Sequence, residues 1–172
     1  KGIIKFDGKI AEVGERAFYD CKRLKSVILP NSVKIIGDYA FRGCSNLNQA
    51  PLPSNLIQIG EWAFRNCALT EVIIPEGVVM IGEYAFAGNS ITRVRNLSKV
   101  ITLIGGCCFS QMKTELCEFE GELVSSDKRC IINNGRLIVA VPNGLGEYTI
   151  PDGVCTIGES AFKRNPSLTK IT

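Results

Sequence analysis

Five carboxylates recur at one place in the chain's internal rhythm: Glu15, Asp38, Glu61, Glu83 and Glu159. Two acids held about 5–10 Å apart are the machinery of a glycosidase, one protonating the leaving oxygen while the other attacks or activates water. Regular recurrence argues instead for a solvated row, or for acids capping short turns near a positive backbone end. Eight cysteines raise redox and metal chemistry, yet none forms a Cys-x-x-Cys pair. Zinc-ribbon and thioredoxin-like chemistry therefore have little support. Histidine is absent. That removes imidazole acid–base catalysis, Ser–His and Cys–His nucleophile pairs, and the commonest metal ligand. These residues imply no catalytic site, no metal site and no cofactor.

The elements that carry the acids repeat. Val13-Gly14-Glu15-Arg16-Ala17-Phe18 returns as Ile36-Gly37-Asp38-Tyr39-Ala40-Phe41, Ile59-Gly60-Glu61-Trp62-Ala63-Phe64 and Ile81-Gly82-Glu83-Tyr84-Ala85-Phe86. A degraded copy lies at Ile104-Gly105-Gly106-Cys107-Cys108-Phe109 and a good one at Ile157-Gly158-Glu159-Ser160-Ala161-Phe162. The phenylalanines step by 23, 23, 22 and 23 residues, then by 53, so the last step holds one insertion. Seven residues before each glycine from Gly37 on stand Pro30, Pro53, Pro75, Ser98 and Pro151; Val33, Leu56, Val78, Ile101 and Val154 come four before it. Ahead of the prolines lie Leu24-x-x-Val27-x-Leu29, Leu47-x-x-Ala50-x-Leu52 and Leu69-x-x-Val72-x-Ile74. A shifted version is Ile91-x-x-Val94.

A short apolar run that alternates and then meets proline, which cannot donate to a ladder, predicts a strand that stops there. Val-x-x-Ile adds two inward anchors. The following glycine permits a sharp turn or positive φ. Glu/Asp-x-Ala-Phe fits one helical or 3₁₀ turn, with alanine allowing neighbouring coils to approach and phenylalanine filling the interior. A single unit of about 23 residues cannot bury both its faces, so stability belongs to the stack.

The pattern from Leu24 through Cys44, Leu-x-x-Val-x-Leu-Pro-x-x-Val-x-x-Ile-Gly-x-x-Ala-Phe-x-x-Cys, resembles the BspA-type leucine-rich-repeat family. The resemblance covers nearly the whole chain. It implies a right-handed leucine-rich-repeat solenoid with a parallel β-sheet on one face and short 3₁₀ or helical turns opposite. It also implies a secreted or cell-surface protein of a host-associated microbe that takes part in adhesion. The coil at Gly105–Met112 departs from the pattern by losing the acid, the alanine and the terminal cysteine, and the strand region at Leu116–Phe119 looks irregular.

Residues 119–147 break the period. Asn134-Gly135 between two apolar runs is a strong hairpin signal, because both turn residues tolerate positive φ. Ser126-Asp127-Lys128 supplies a first turn, so the segment is expected to form a three-stranded β-meander, with Pro142 through Gly146 as the returning loop. It either splints the weak coil or serves as a ligand-contacting flap. The remainder of residues 1–172 is expected to be one solenoid, cut from a longer array.

Cys21, Cys44 and Cys67 each stand three residues after the repeat phenylalanine, where later coils carry Asn89, Met112 and Asn165. A position that accepts all three is structural. Stacked coils bring equivalent residues about 5 Å apart, within disulfide reach but without fixing side-chain geometry. Free thiols are expected, with one disulfide from Cys117 or Cys130 as the alternative. Asn96-Leu97-Ser98 matches a glycosylation acceptor.

The chain has 172 residues, 45% hydrophobic and 22% charged, with a net charge of +3. That balance fits a folded protein and offers no concentrated basic surface for nucleic acid or an anionic membrane. No apolar run approaches the roughly 18 residues of a membrane span, and the first residues are not a secretory signal.

The solvent-facing strand positions are Lys25, Ser26, Ile28, Asn48, Gln49, Thr70, Glu71, Ile73, Thr92, Arg93 and Arg95. Among them Lys25, Ile28, Gln49, Glu71, Ile73, Arg93 and Arg95 are the candidate binding residues. The expected partner is a host extracellular-matrix or cell-surface protein, or a glycan, with no nucleic acid and no membrane insertion. Trp62, stacked near Tyr39 and Tyr84, packs between coils or grips a sugar. The alternative function is a spacer in a larger surface protein without a ligand of its own.

Overall fold

The structure is a computed structural model that describes residues 3–6, 9–110, 118–140, 146–159, 161–162 and 168–172. The expectations placed on Leu116, Cys117, Met112, Ser160, Asn165 and the loop from Pro142 through Leu145 lie outside the described residues. In chain order the strands are β1 (Ile3–Lys5), β2 (Glu12–Val13), β3 (Ser26–Ile28), β4 (Ile35–Ile36), β5 (Gln58–Ile59), β6 (Glu71–Ile74), β7 (Met80–Ile81) and β8 (Arg93–Asn96). They continue as β9 (Leu103–Ile104), β10 (Glu118–Gly121), β11 (Cys130–Asn133), β12 (Arg136–Ala140), β13 (Glu147–Tyr148), β14 (Thr156–Ile157) and β15 (Lys170–Ile171).

The coils up to Gly121 place parallel strands on two faces, and the coil between β4 and β5 gives the first face only a single bridge. The Leu-x-x-Val-x-Leu runs form the pair β1-β3 and the triplet β6-β8-β10. The Val-x-x-Ile segments form an unbroken sheet, β2-β4-β5-β7-β9, in strict register from Val13↔Ile36 to Ile81↔Ile104. This second sheet goes beyond the one face that the sequence pattern led us to expect, because two-residue strands leave no alternation to detect. Between the sheets run the inward side chains: Phe41, Phe64, Ile36, Ile59, Ile81, Leu47 and Leu56 are all fully buried.

The third side corrects one expectation. No helix or 3₁₀ turn occurs among the described residues; the Glu/Asp-x-Ala-Phe segments are successive hydrogen-bonded turns. The physical reason is the backbone of Arg16, Tyr39, Trp62, Tyr84 and Cys107, all at φ between 55° and 59°. A left-handed residue stops a right-handed helix and costs a non-glycine residue about 1–2 kcal/mol. The hydrogen bonds offset that cost. Ala40 and Arg42 donate back to the carbonyls of Gly37 and Tyr39, while Tyr39, Phe41 and Gly43 donate across to Glu61, Ala63 and Arg65 of the next coil. Alternate amides thus build a third inter-coil ladder, which would be impossible if every amide were committed to its own helix.

From Gly37 on, the hexad glycines are required for close approach rather than for positive φ. A Cβ on Gly82 would lie 2.4 Å from the Glu61 nitrogen, and one on Gly105 would lie 2.3 Å from the Glu83 nitrogen. Positive φ falls two residues later, on the aromatic positions.

In the segment that breaks the period, β11 and β12 pair antiparallel through Asn134-Gly135, at φ 48° and 72°. Lys128 donates to the Ser125 carbonyl to close the preceding turn, and Val124 bridges Ile131. Ile131, Ile138 and Val139 join the solenoid core, while Asn133 donates to the Ile101 carbonyl at 2.9 Å. The strand region around Leu116–Phe119 is more regular than its sequence suggests over its described part. Glu118–Gly121 pairs with β8 in full register, and Phe119 fills the inward place held elsewhere by Val72 and Val94.

Candidate functional site

The seven candidate binding residues are all exposed and lie in the Leu-x-x-Val-x-Leu runs or their shifted version, five of them in strands and Lys25 and Gln49 outside them. Two lanes run across the coils. Glu71 pairs in register with Arg93 and Ile73 with Arg95, while Gln49 and Ile28 hold the matching places four and two residues ahead of their own prolines. Ile28 and Ile73 are 47% and 45% exposed, too much for side chains that merely cap a core. Ser26, also expected to face solvent, is buried: its short side chain is covered beside its register neighbour Gln49.

Arg93 is held between carboxylates, 4.0 Å from Glu71 and 3.8 Å from Glu120. All three side chains are well exposed, so each pair contributes at most about 1 kcal/mol. The lane charges are therefore available to a partner at small cost. Lys25 stands one residue ahead of β3, away from this trio.

An open groove of about 920 Å³ crosses this face. Ile28, Gln49, Glu71 and Ile73 line it, which brings together four of the seven candidates; Lys25, Arg93 and Arg95 lie outside its lining. Leu52, Pro75 and Leu97 extend it toward the proline edge, and Phe86 and Leu69 lie at its floor. The sequence reading missed this groove. Its signal was Pro51, a second proline inside one strand run, where the other coils carry Ile28 and Ile73.

The recurring carboxylates partly share a second cleft. Asp38, Glu61, Glu83 and Glu159 line a space of about 460 Å³ with Gly60, Gly82 and Gly105. Asp38 also accepts from the Glu61 amide at 2.8 Å, the capping role that repetition suggested. Among the described residues no group of three or more acids and cysteines has metal-binding geometry.

The aromatic row is a packing device. Trp62 stacks on Tyr39 at 6.0 Å and on Tyr84 at 4.6 Å. Guanidinium groups interleave with it: Arg16 lies 5.0 Å from the Tyr39 ring, Arg42 5.0 Å and Arg65 4.1 Å from Trp62. Ring faces occupied in this way by neighbours and cations leave little platform for a sugar.

The interchange of cysteine and asparagine has a geometric cause. Cys44 donates to the Phe18 carbonyl at 3.1 Å, Cys67 to Phe41 at 3.2 Å and Asn89 to Phe64 at 2.8 Å. The position supplies a donor to the preceding coil, and either side chain serves. Cys21, Cys44, Cys67, Cys107, Cys108, Cys130 and Cys155 are all free thiols, and only Cys21 and Cys155 are exposed. Burial pushes Cys44 up from 9.0 to about 11 and raises Cys108 and Cys130 as well. Aromatic disulfide reagents are accordingly expected to label Cys21 and Cys155 in the native protein, and Cys44, Cys67, Cys108 and Cys130 only after unfolding. Rapid native labelling of Cys44 would contradict the packing. Below pH 9 the Cys44 thiol is protonated in both folded and unfolded chains; between pH 9 and about 11 only the unfolded chain loses its proton. Stability is therefore expected to fall across that window, with urea midpoints as the measure.

Asn96-Leu97-Ser98 cannot act as a glycosylation acceptor in the folded chain. Asn96 and Ser98 are fully buried, with Asn96 donating to the carbonyls of Ser98 and Glu122 at 3.0 and 2.7 Å. Expression through a eukaryotic secretory pathway should give protein without a glycan mass at Asn96; its presence would show that glycosylation precedes closure of this coil.

Stacked coils, parallel ladders and an inward phenylalanine column define a leucine-rich-repeat solenoid. The chain belongs to the BspA type leucine rich repeat region family, whose profile matches it in six copies over residues 8–137 and 142–172. Among solved structures it is similar to the T. pallidum leucine rich repeat protein TpLRR, at 28% identity and a TM-score of 0.62 over 91% of this chain and 67% of that one. A leucine-rich repeat protein from Bacteroides ovatus aligns at 22% identity and a TM-score of 0.67, over 100% of this chain and 44% of that one. The pneumococcal vaccine antigen PcpA aligns at 20% identity and a TM-score of 0.56, over 94% and 50% of the two chains. The last two share the fold, and this chain spans half or less of their length. A comparison with curated proteins yields no match. Among the described residues no helix is long and apolar enough to cross a membrane.

Proposed function

We propose that this chain is a non-catalytic binding module, displayed on a cell surface or secreted, that holds a protein or glycan ligand against its strand face. The observation that carries the reading is the groove lined by Ile28, Gln49, Glu71 and Ile73, which gathers exposed aliphatic surface and a carboxylate on one side of a rigid solenoid. Repeat solenoids bind along extended faces of this kind, an analogy at the level of the fold. PcpA, a vaccine antigen, supports placement outside the cell, and a host extracellular-matrix or cell-surface protein is the partner that this placement favours.

The test is a binding screen of the folded chain against extracellular-matrix proteins and a glycan array, beside a composition-matched solenoid. A saturable hit weakened about tenfold or more, equivalent to 1.4 kcal/mol, by joint Ile28→Ala, Gln49→Ala and Ile73→Ala supports the groove on the strand face. Clean negatives on both panels would favour the spacer reading, in which another part of a larger surface protein recognises the ligand. Hydrolysis of an arrayed glycan that vanished in Glu61→Gln and Glu83→Gln would instead make the acidic cleft an active site.

A further inference from the structure

The two sheets behave differently at the same coil. The Val-x-x-Ile sheet continues through β5 without interruption, while the strand-face sheet stops at β3 and resumes only at β6. The interruption is the segment Asn48-Gln49-Ala50-Pro51-Leu52-Pro53, joined to β3 by the single bridge Ser26↔Gln49. No backbone hydrogen bond connects residues 48–53 to β6.

Two side chains mark the break. The Gln49 carbonyl accepts from Val27 of β3, so Pro51, two residues on, faces β3 as well, where proline has no amide to give the ladder. Ala50 takes the inward place that Val27, Val72 and Val94 fill in other coils. The lost volume lets the groove reach Phe86 and Leu69. Consistent with an opened wall, Ala50 and Leu52 are only half-buried, whereas Val27 is fully buried and Leu29 is 7% exposed.

The break also leaves one edge of β6 without a ladder partner. The Thr70 and Ile74 carbonyls accept from Thr92 and Leu97 on the β8 side. Backbone groups alternate in direction along a strand, so those of Glu71 and Ile73 turn toward the gap. The charged residues lining the groove are Glu71 and Glu76, with no lysine or arginine.

We propose that this break is a peptide-docking site that receives an extended segment of a protein ligand, with an aliphatic side chain entering the hollow over Ala50. The segment's main chain meets the open edge of β6, and a flanking lysine or arginine meets Glu71 and Glu76. An apolar hollow, free strand edge and carboxylate rim together match alternating aliphatic and basic residues. A sugar finds no open aromatic platform here, since the Phe86 faces are taken by Phe64 and Phe109. The inference rests on the binding-module reading and narrows it to one occupant.

The probe is the peptide Lys-Ile-Lys-Val-Lys-Ile, capped at both ends, with Glu-Ile-Glu-Val-Glu-Ile as its charge-reversed control, followed by titration calorimetry. Wild type is expected to bind the basic peptide with one-to-one stoichiometry and to ignore the acidic one. The joint substitution Ala50→Val and Pro51→Val fills the hollow and restores the ladder amide that faces β3, without changing charge. It should raise the urea midpoint while weakening the peptide at least tenfold. Glu71→Gln with Glu76→Gln, which alters only the rim, should weaken it several-fold. Equal binding by wild type and the gap-closed protein, or no binding of the basic peptide to wild type, overturns the proposal. The same two proteins in the extracellular-matrix and glycan screen separate the failures. Equal capture by both sinks the docking site and leaves the binding module standing, whereas no capture by either sinks the module. Glycan binding lost on closing the gap also overturns the peptide occupant.

Discussion

Phe64→Ala is expected to cost about 3–5 kcal/mol in urea melts, the range for an aromatic deleted from a tight core. Phe64 is fully buried, with ring centroids 5.1 Å from Phe41 and 5.5 Å from Phe86 and interplanar angles of 7° and 1°. Identical backbone ladders force each ring into the orientation of the one below, so the column from Phe18 to Phe109 is continuous. Removing its centre deletes two stacked contacts and opens a cavity that the unbroken Val-x-x-Ile ladder and the turn-side ladder prevent from collapsing. Phe162 is only half-buried and meets Tyr148 at a 56° tilt. Phe162→Ala should therefore cost clearly less. Equal losses at the two positions would contradict the placement of the core.

Gly82→Ala should cost more than about 3 kcal/mol, at or beyond the upper range of overpacked cores. The added Cβ would meet the Glu61 nitrogen at 2.4 Å and the Gly60 carbonyl carbon at 2.5 Å. Both are backbone atoms and cannot rotate away. The coil must separate instead, straining the bond from the Gly82 amide to the Ile59 carbonyl, now 2.8 Å. Gly14 is the internal control, since a Cβ there meets nothing within 4 Å. Gly14→Ala should be neutral or stabilising by up to about 1 kcal/mol through the unfolded chain. Similar melting curves for the two variants would mean that the glycines serve local conformation and not coil contact.

Much of the solenoid is legible in the residues. Pro30, Pro53, Pro75 and Pro151, the buried Val/Leu/Ile positions and the Ala-Phe pairs fix period, register and interior, because each recurs where every coil imposes the same constraint. Asn134-Gly135 gives the hairpin for the same local reason. The turn side was less legible. Glu-x-Ala-Phe has the spacing of a helical turn, and nothing in Tyr39, Trp62 or Tyr84 announces a left-handed backbone, which the inter-coil hydrogen bonds impose. The second sheet was hidden because pairs such as Gln58–Ile59 are too short to alternate. Of the candidate site, the exposed lanes followed from alternation in β6 and β8. The groove did not, since a missing amide at Pro51 and a missing side chain at Ala50 are departures that a consensus discards.

Hydroxyl-radical footprinting of the chain with and without its captured ligand tests the strand-face claim most directly. Ile28 and Ile73 report on that face, Ile57, Val79 and Leu103 on the rest of the exposed surface, and Tyr19 on the turns; all six are well exposed. Loss of oxidation at Ile28 and Ile73, with Tyr19, Ile57, Val79 and Leu103 unchanged, is the predicted result. Protection at Ile57, Val79 and Leu103 with Ile28 and Ile73 still reactive would place the ligand elsewhere and contradict the account.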